Sequence, residues 1–453
     1  MIFLVGGIFV VFIGAFGTYQ HLSGEASSRS TNSVKKASGR FEESKITSKT
    51  ESVDDEQSAL FNDPAIAQAW GLKKADAARA WSVSKGSKSV VVAVIDTGAD
   101  VKHENLSANL WMNPGETGKD SKGRDKANNG VDDDGNGFID DVHGWNFVSN
   151  NNNLTDNHGH GTHIAGIIGA NAVNGKGFRG ISQDVSLMIL KYYDPKVAGT
   201  DNLKNTVASI KYAVKMGANI INYSGGGTEF SQEEHDAIVE AEKKGILFVA
   251  AAGNERSNSD QFRYYPADYG LSNIISVTAI DPSTEVLSSS NYGTETVDIA
   301  APGQNILSLL PGGSYGMMTG TSQATAFVSG AAALVMARRE AYKAVDVKKY
   351  ILSTGDAMAS LSAKTRTSRQ LNLYKSLTIL DQGLGLTGVA AANKGSASNQ
   401  EFTVRAKDEA NTPHEDPNLK KDSATEMATF GKSLIKSMEK MGRIGEKQAP
   451  ASQ

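Results

Sequence analysis

The sequence predicts an α/β fold: a doubly wound, mostly parallel β-sheet with helices on both faces. Three features carry that expectation. Short continuous apolar runs recur through the middle of the chain, stretches of helical periodicity separate them, and glycine-rich polar stretches follow several of them directly. A strand covered on both faces has no side to show to water, so unbroken Val/Ile/Leu runs suit parallel strands packed between helices. Alternation of such runs with helical segments is the signature of an α/β sheet.

The runs are SVVVAVID (89–96), VSLMILKYY (185–193), ANIINYS (218–224), ILFVAAAG (246–253) and NIISVTAI (273–280). Helices are expected at 161–172, 203–216 and 231–244, and across the small-residue run ATAFVSGAAALVMARRE, 324–340. In sheets of this type the chemistry gathers outside the carboxyl ends of the strands.

The ends of the chain differ from its middle. Residues 1–19 carry no charge and read as a signal peptide or an N-terminal membrane anchor. Arg29, Lys35, Lys36 and Arg40 follow. For an uncleaved segment these charges favour a cytoplasmic downstream side, against the export that the segment otherwise implies. Residues 20–60 are too polar to build a core and read as a disordered linker. The folded domain is expected over 61–385 and a low-complexity tail over 386–453. Within the tail, Met427, Phe430, Leu434, Met438 and Met441 recur at helical steps, so 426–442 reads as an amphipathic helix, more simply one docked on its own domain or fraying in solvent than one meeting a membrane or a partner.

Composition excludes several classes. The chain has 453 residues and a formal net charge of -4 with no basic stripe, so nucleic acid is not an expected partner. It contains no cysteine, which removes disulfides, thiolate nucleophiles and Cys-ligated zinc. An exported monomer is expected.

The stretch DNHGHGTHIAG, 156–166, crowds His158, His160 and His163 among glycines. A zinc cage is one reading, but Thr162 stands where a further acidic ligand would be needed, and His235 and His414 lie in no strand-end motif. A general base is the other. A base needs a carboxylate on one imidazole nitrogen and a hydroxyl facing the other. Asp96 closes the first apolar run, and Ser322, in GTSQATAF after Gly320, opens the long helix, where a helix N-terminus and its free N–H favour an oxyanion. Asn254, just past the fourth run, offers a carboxamide donor. Each residue alone has an ordinary explanation as a cap or turn. All four at strand ends or helix starts, in the order Asp, His, Asn, Ser, do not.

The blocks VIDTGAD, HGHGTHIAG, AAAGN and GTSQATA resemble the four signature segments of the subtilisin-like serine proteases, and the resemblance spans about residues 62–380. It implies a subtilisin-like fold and a serine endopeptidase in which Asp96 orients the imidazole, His160 is base and then acid, Ser322 attacks and Asn254 completes the oxyanion hole. It further implies that Ser224, Gly225 and Gly226, in NYSGGG, line the groove for a protein or peptide substrate. Two positions depart from the pattern: Ala326 stands where the family has proline, and Gly225 where it has a larger apolar residue. The first leaves a catalytically impaired peptide-binding protein as the alternative function. The second loosens expectations of subsite shape, and a groove walled by Gly225 and Gly226 suggests tolerance of bulky apolar substrate side chains.

The segment DDDGNGFIDD, 132–141, spaces Asp132, Asp134, Asn136 and Asp140 around Gly137 as the first half of a calcium loop does, though position twelve is His143 and not Glu. Five aspartates in ten residues repel one another without a counter-ion, and structural calcium is the expectation.

Overall fold

The computed structural model describes residues 68–171 and 178–379; the expectations for 1–19, 20–60 and the tail with its helix at 426–442 lie outside the described residues. The strands are β1 (Gly86–Asp96), β2 (Gly144–Asn146), β3 (Asp184–Lys191), β4 (Ile220–Tyr223), β5 (Leu247–Ala251), β6 (Ile274–Ile280), β7 (Ile299–Pro302), β8 (Ile306–Leu310), β9 (Ser314–Met318), β10 (Asp356–Ala357) and β11 (Arg369–Gln370). The helices are α1 (Trp70–Lys74), α2 (Ala77–Val83), α3 (His160–Gly169), α4 (Asn202–Lys215), α5 (Gln232–Lys243), α6 (Thr321–Arg338), α7 (Ala344–Thr354) and α8 (Leu373–Thr378).

Nine strands form one sheet in the order β10-β11-β7-β6-β5-β4-β1-β3-β2, and β8 and β9 form a separate hairpin. Within the large sheet only the β10–β11 pair is antiparallel. The five apolar runs are β1, β3, β4, β5 and β6, and the four expected helices are α3, α4, α5 and α6. The chain enters at β1, moves to β3 on one side, and returns to β4 on the other. That reversal makes β1 the switch point, where a crevice opens beyond the strand ends.

Side chains alternate between two cores, as a strand's period of two requires. Val92 and Val94 of β1 and Leu247 and Val249 of β5 join α3 and α6 on one face. Ala93 and Ile95, with Phe248 and Ala250, join α4 and α5 on the other. Both faces are therefore dry, which is why these strands show no polar alternation.

Helix α6 is buried along nearly its whole length and packs on β1, β4, β5, β6, β7 and α3. Its small residues permit that approach. A methyl added at Gly330 would stand 2.7 Å from Ile181 Cβ and 3.4 Å from the Ile168 carbonyl oxygen. Gly330 lies eight residues into α6 from Ser322, and Ile168 eight into α3 from His160. This contact keeps the two helices in step from their N-termini. With Ala326 fully buried and no proline, α6 runs unbroken for 18 residues.

Candidate active site

Asp96 is the last residue of β1 and 2% exposed, walled in by β3 and β4. Its Oδ1 accepts from the Thr97 N–H at 2.8 Å and lies 2.7 Å from His160 Nδ1. His160 is the first residue of α3, entered through Gly159, whose φ of 94° suits glycine. Burial works against the charged imidazole, but the Asp96 carboxylate, through its charge and its hydrogen bond, outweighs it and holds His160 above its ordinary value. The carboxylate thus fixes both the tautomer, with Nδ1 donating, and the direction of Nε2.

A residue that the sequence reading overlooked holds this start of α3. Asp156 is buried and accepts five hydrogen bonds: at Oδ1 from Thr97 Oγ1, His158 N and Gly159 N, and at Oδ2 from Thr162 N and Oγ1. Gly159 at the N-cap has no side chain, so Asp156, three residues earlier, satisfies the orphan N–H of Thr162 in its place. Thr97 Oγ1 in turn accepts from Gly161 N at 2.9 Å, tying the end of β1 to the helix. An aspartate just ahead of a glycine-rich helix start was the visible signal.

The other two histidines do different work. His163 is buried with Nε2 on the carbonyls of Ile306 and Gly316, at 2.9 and 3.2 Å, and its burial pushes its pKa down to about 4. It anchors the β8–β9 hairpin. His158, lowered by burial and then by His160, accepts the His160 N–H at Nδ1 and stands edge-on to its ring, 6.0 Å away. Among the described residues the ligand atoms of these three histidines do not lie close enough together to hold one ion, which leaves the zinc reading without support.

Ser322 is the second residue of α6 and 7% exposed. Its Oγ donates to the Ser224 carbonyl at 3.2 Å rather than to His160. Among the described residues His160 Nε2 has no hydrogen-bond partner. Asn254, on the loop after β5, presents Oδ1 to the Thr321 N–H at 3.0 Å and the Thr321 hydroxyl at 3.3 Å. Its Nδ2 has no hydrogen-bond partner among the described residues, and the Ser322 N–H that follows Thr321 is one of the orphan donors of a helix N-terminus. Two donors next to a nucleophile form an oxyanion hole.

The structure brings the expected groove residues to the same place. Ser224, Gly225 and Gly226 follow β4 half-exposed, and among the described residues their N–H groups have no backbone partner. An open backbone edge accepts an added strand. The space freed by Gly225, however, is taken. A methyl there would stand 2.6 Å from the Tyr192 hydroxyl and 2.8 Å from that of Tyr223. The expectation of room for bulky apolar side chains is corrected accordingly: the volume lost at one position is refilled by aromatic side chains from β4 and from the end of β3.

This geometry of acid, base, nucleophile and oxyanion donors lies within the reach of one family description. The subtilase family model matches residues 87–411. The chain belongs to the subtilase family. Similar proteins include the thermophilic serine proteinase of Bacillus sp. (strain AK1), 32% identical over 66% of this chain and 64% of that protein. The major intracellular serine protease of Bacillus subtilis (strain 168) is 36% identical over 60% of this chain and 75% of its own length. Thermitase of Thermoactinomyces vulgaris is 31% identical over 70% of this chain and 98% of its own length. The matched part of this subtilase is a subtilisin-like serine endopeptidase domain.

The acidic loop of the subtilase is held by hydrogen bonds within itself. Asp132 turns back on the N–H groups of Asn136 and Gly137, and Asp140 takes the Gly130 N–H. Asn136 spends its carbonyl on Phe138 N and its amide on Asp134 and Asp141. Asp134 instead meets Glu116 and Asp141, with one carboxylate oxygen of each within 4.8 Å of the others. Glu116 and Asp141 are both fully buried, and Glu116 Oε2 has no hydrogen-bond partner among the described residues. Asp141 is also held by Tyr212 at 2.5 Å. Glu116 lies sixteen residues upstream of the motif, outside any local spacing rule.

Proposed function

We propose that the whole protein cuts polypeptide chains by acyl transfer at Ser322. The carrying observation is the 2.7 Å bond from His160 Nδ1 to a nearly buried Asp96, at the mouth of a crevice that also holds Ser322 and Asn254. Substrate lies along Ser224–Gly226 as an added strand. Ser322 Oγ attacks the scissile carbonyl carbon, and its proton passes to His160 Nε2. Oxyanion charge falls on Asn254 Nδ2 and the Ser322 N–H. The imidazolium, held by Asp96, gives its proton to the leaving amine; water then cleaves the ester by the same route.

Covalent labelling by a fluorophosphonate tests this. The wild-type chain is expected to label at one site, and Ser322→Ala to show no labelling. A wild type that binds peptides yet never labels is the outcome that favours the non-cleaving alternative.

A hard divalent cation, calcium, is the second part of the reading, held by Glu116, Asp134 and Asp141 in place of the set Asp132, Asp134, Asn136 and Asp140 expected from spacing. Three carboxylates with one buried, unpartnered oxygen fit an oxygen-only site. A bound ion would contribute by neutralising that charge and clamping the loop to the Tyr212 face of α4. Calcium at about 100 times its Kd stabilises a folded protein by about 2.7 kcal/mol. A rise in Tm of roughly 5 °C on adding calcium to chelated protein is expected. Glu116→Gln should abolish the rise and Asp140→Asn preserve it; the reverse pattern returns the site to the original four residues.

A further inference from the structure

Lysine is almost never fully buried unless its charge is matched. Lys191, the last residue of β3, is 2% exposed, and the acyl-transfer steps make no use of it. Its Nζ lies 2.7 Å from Asp194 Oδ2 and donates to the Thr155 carbonyl at 2.5 Å. Asp194 is buried too. Burial opposes its charge, but hydrogen bonds from Lys191, the Lys196 N–H and Asn157 outweigh it and hold the carboxyl below its ordinary value. The Asn157 amide donates to Asp194 Oδ2 at 2.8 Å. The ion pair therefore grips the chain at 155 and at 157, on either side of Asp156, whose five hydrogen bonds hold the start of α3.

The place of the pair in the sheet gives this grip a consequence for the base. Lys191 and Asp96 are register partners on adjacent parallel strands, and both face α3, two residues beyond Ile189 and Val94, which pack there. One row of the sheet thus carries, on β1, the carboxylate that orients His160 and, on β3, the cation that holds the turn from which His160 emerges. Residues 153–159 form no helix or strand of their own, so bonds of this kind set their position relative to Asp96.

We propose that Lys191 is a positioning residue: paired with Asp194, it fixes the turn at 155–157 and so keeps His160 Nδ1 within hydrogen-bond reach of Asp96. The inference rests on the serine-peptidase reading, and it adds a residue that acts only through the base.

Lys191→Met keeps an unbranched side chain and removes the donor and the charge. In the full chain, with active sites counted by fluorophosphonate, it is expected to lower kcat per labelled site by roughly 10- to 100-fold with little change in KM, as a displaced catalytic group does. The acid limb of kcat/KM should move to lower pH, since a longer bond to Asp96 holds the imidazolium less firmly. Loss of the Lys191 charge by itself would move the limb the other way. The charged and titratable groups facing His160 are Asp96 on β1, Asp156 and His158 on the turn and His163 on α3, and all of them remain in the variant. A merely structural role would lower Tm and the number of labelled sites and leave kcat per site and the limb as in wild type. A labelled Lys191→Met with wild-type kcat, or with a limb that stays or moves to higher pH, overturns the proposal. Where Lys191→Met does not fold, Asn157→Ala decides: it releases one of the two grips at an exposed residue and should move the limb to lower pH, and an unchanged limb overturns the proposal. A wild type that never labels would instead bring down the parent reading.

Discussion

Ser322→Ala is expected to lower kcat/KM on the order of 10⁶-fold, the magnitude known for subtilisin rather than one obtained from this geometry, and adding His160→Ala is expected to lower it hardly further. The near-absence of a second loss is the informative part. Ser322 Oγ is a poor nucleophile until His160 takes its proton, and His160 has nothing to activate once the hydroxyl is gone, so the two act as one unit. Independent binding residues would multiply their losses instead. Steady-state kinetics on the two single variants and the double variant measure this. The pH profile supplies a further check. Reaction needs neutral His160, and Asp96 holds its pKa above the ordinary 6.5. Activity should therefore fall as pH drops through a value above 6.5, and the acid limb of kcat/KM reports it. In Asp96→Asn that limb should move to lower pH, because the charge that stabilised the imidazolium is gone, while the maximal rate falls by about 10⁴-fold.

Asn254→Ala is expected to cost about 10²–10³-fold in kcat with little change in KM, since its Nδ2 meets charge that exists only after attack. The geometry adds a second effect. Asn254 Oδ1 accepts from the Thr321 N–H at 3.0 Å, and Gly320 at the N-cap of α6 has no side chain to do so. Asn254 therefore caps the catalytic helix from a distant loop. Its loss should also destabilise the fold by about 1 kcal/mol. Asn254→Asp separates the two roles: a carboxylate keeps the acceptor for Thr321 and restores thermal stability, but it places negative charge against the oxyanion and cannot restore kcat. Equal kcat in Asn254→Asp and the parent would remove Asn254 from the oxyanion hole.

Much of this was visible in the chain. β1, β3, β4, β5 and β6 were legible because burial on both faces leaves an unbroken apolar run. α4 and α5 were legible because burial of one face repeats a 3.6-residue period locally, whereas α3 and α6, buried on nearly all sides, showed themselves as apolar and small-residue runs. The short elements were not. β2 spans three residues and β10 and β11 two each, and they exist only because a neighbouring strand supplies their hydrogen bonds. Asp96, His160, Asn254 and Ser322 could be named because each sits where a strand ends or a helix begins.

The sequence by itself determined the parallel sheet, the order of its main elements and the chemical types available at their ends, since these follow from hydrophobic period and from glycines at turns. Only the tertiary structure decided which side chains fill the spaces between those ends. The bond that ties Asp156 to Thr97, Glu116 beside Asp134 and Asp141, and the tyrosines that occupy the room left by Gly225 all depend on contacts that no local pattern encodes. Local pattern reports which face of an element is buried, but the occupant of a given volume is set by whichever remote side chain packing brings there.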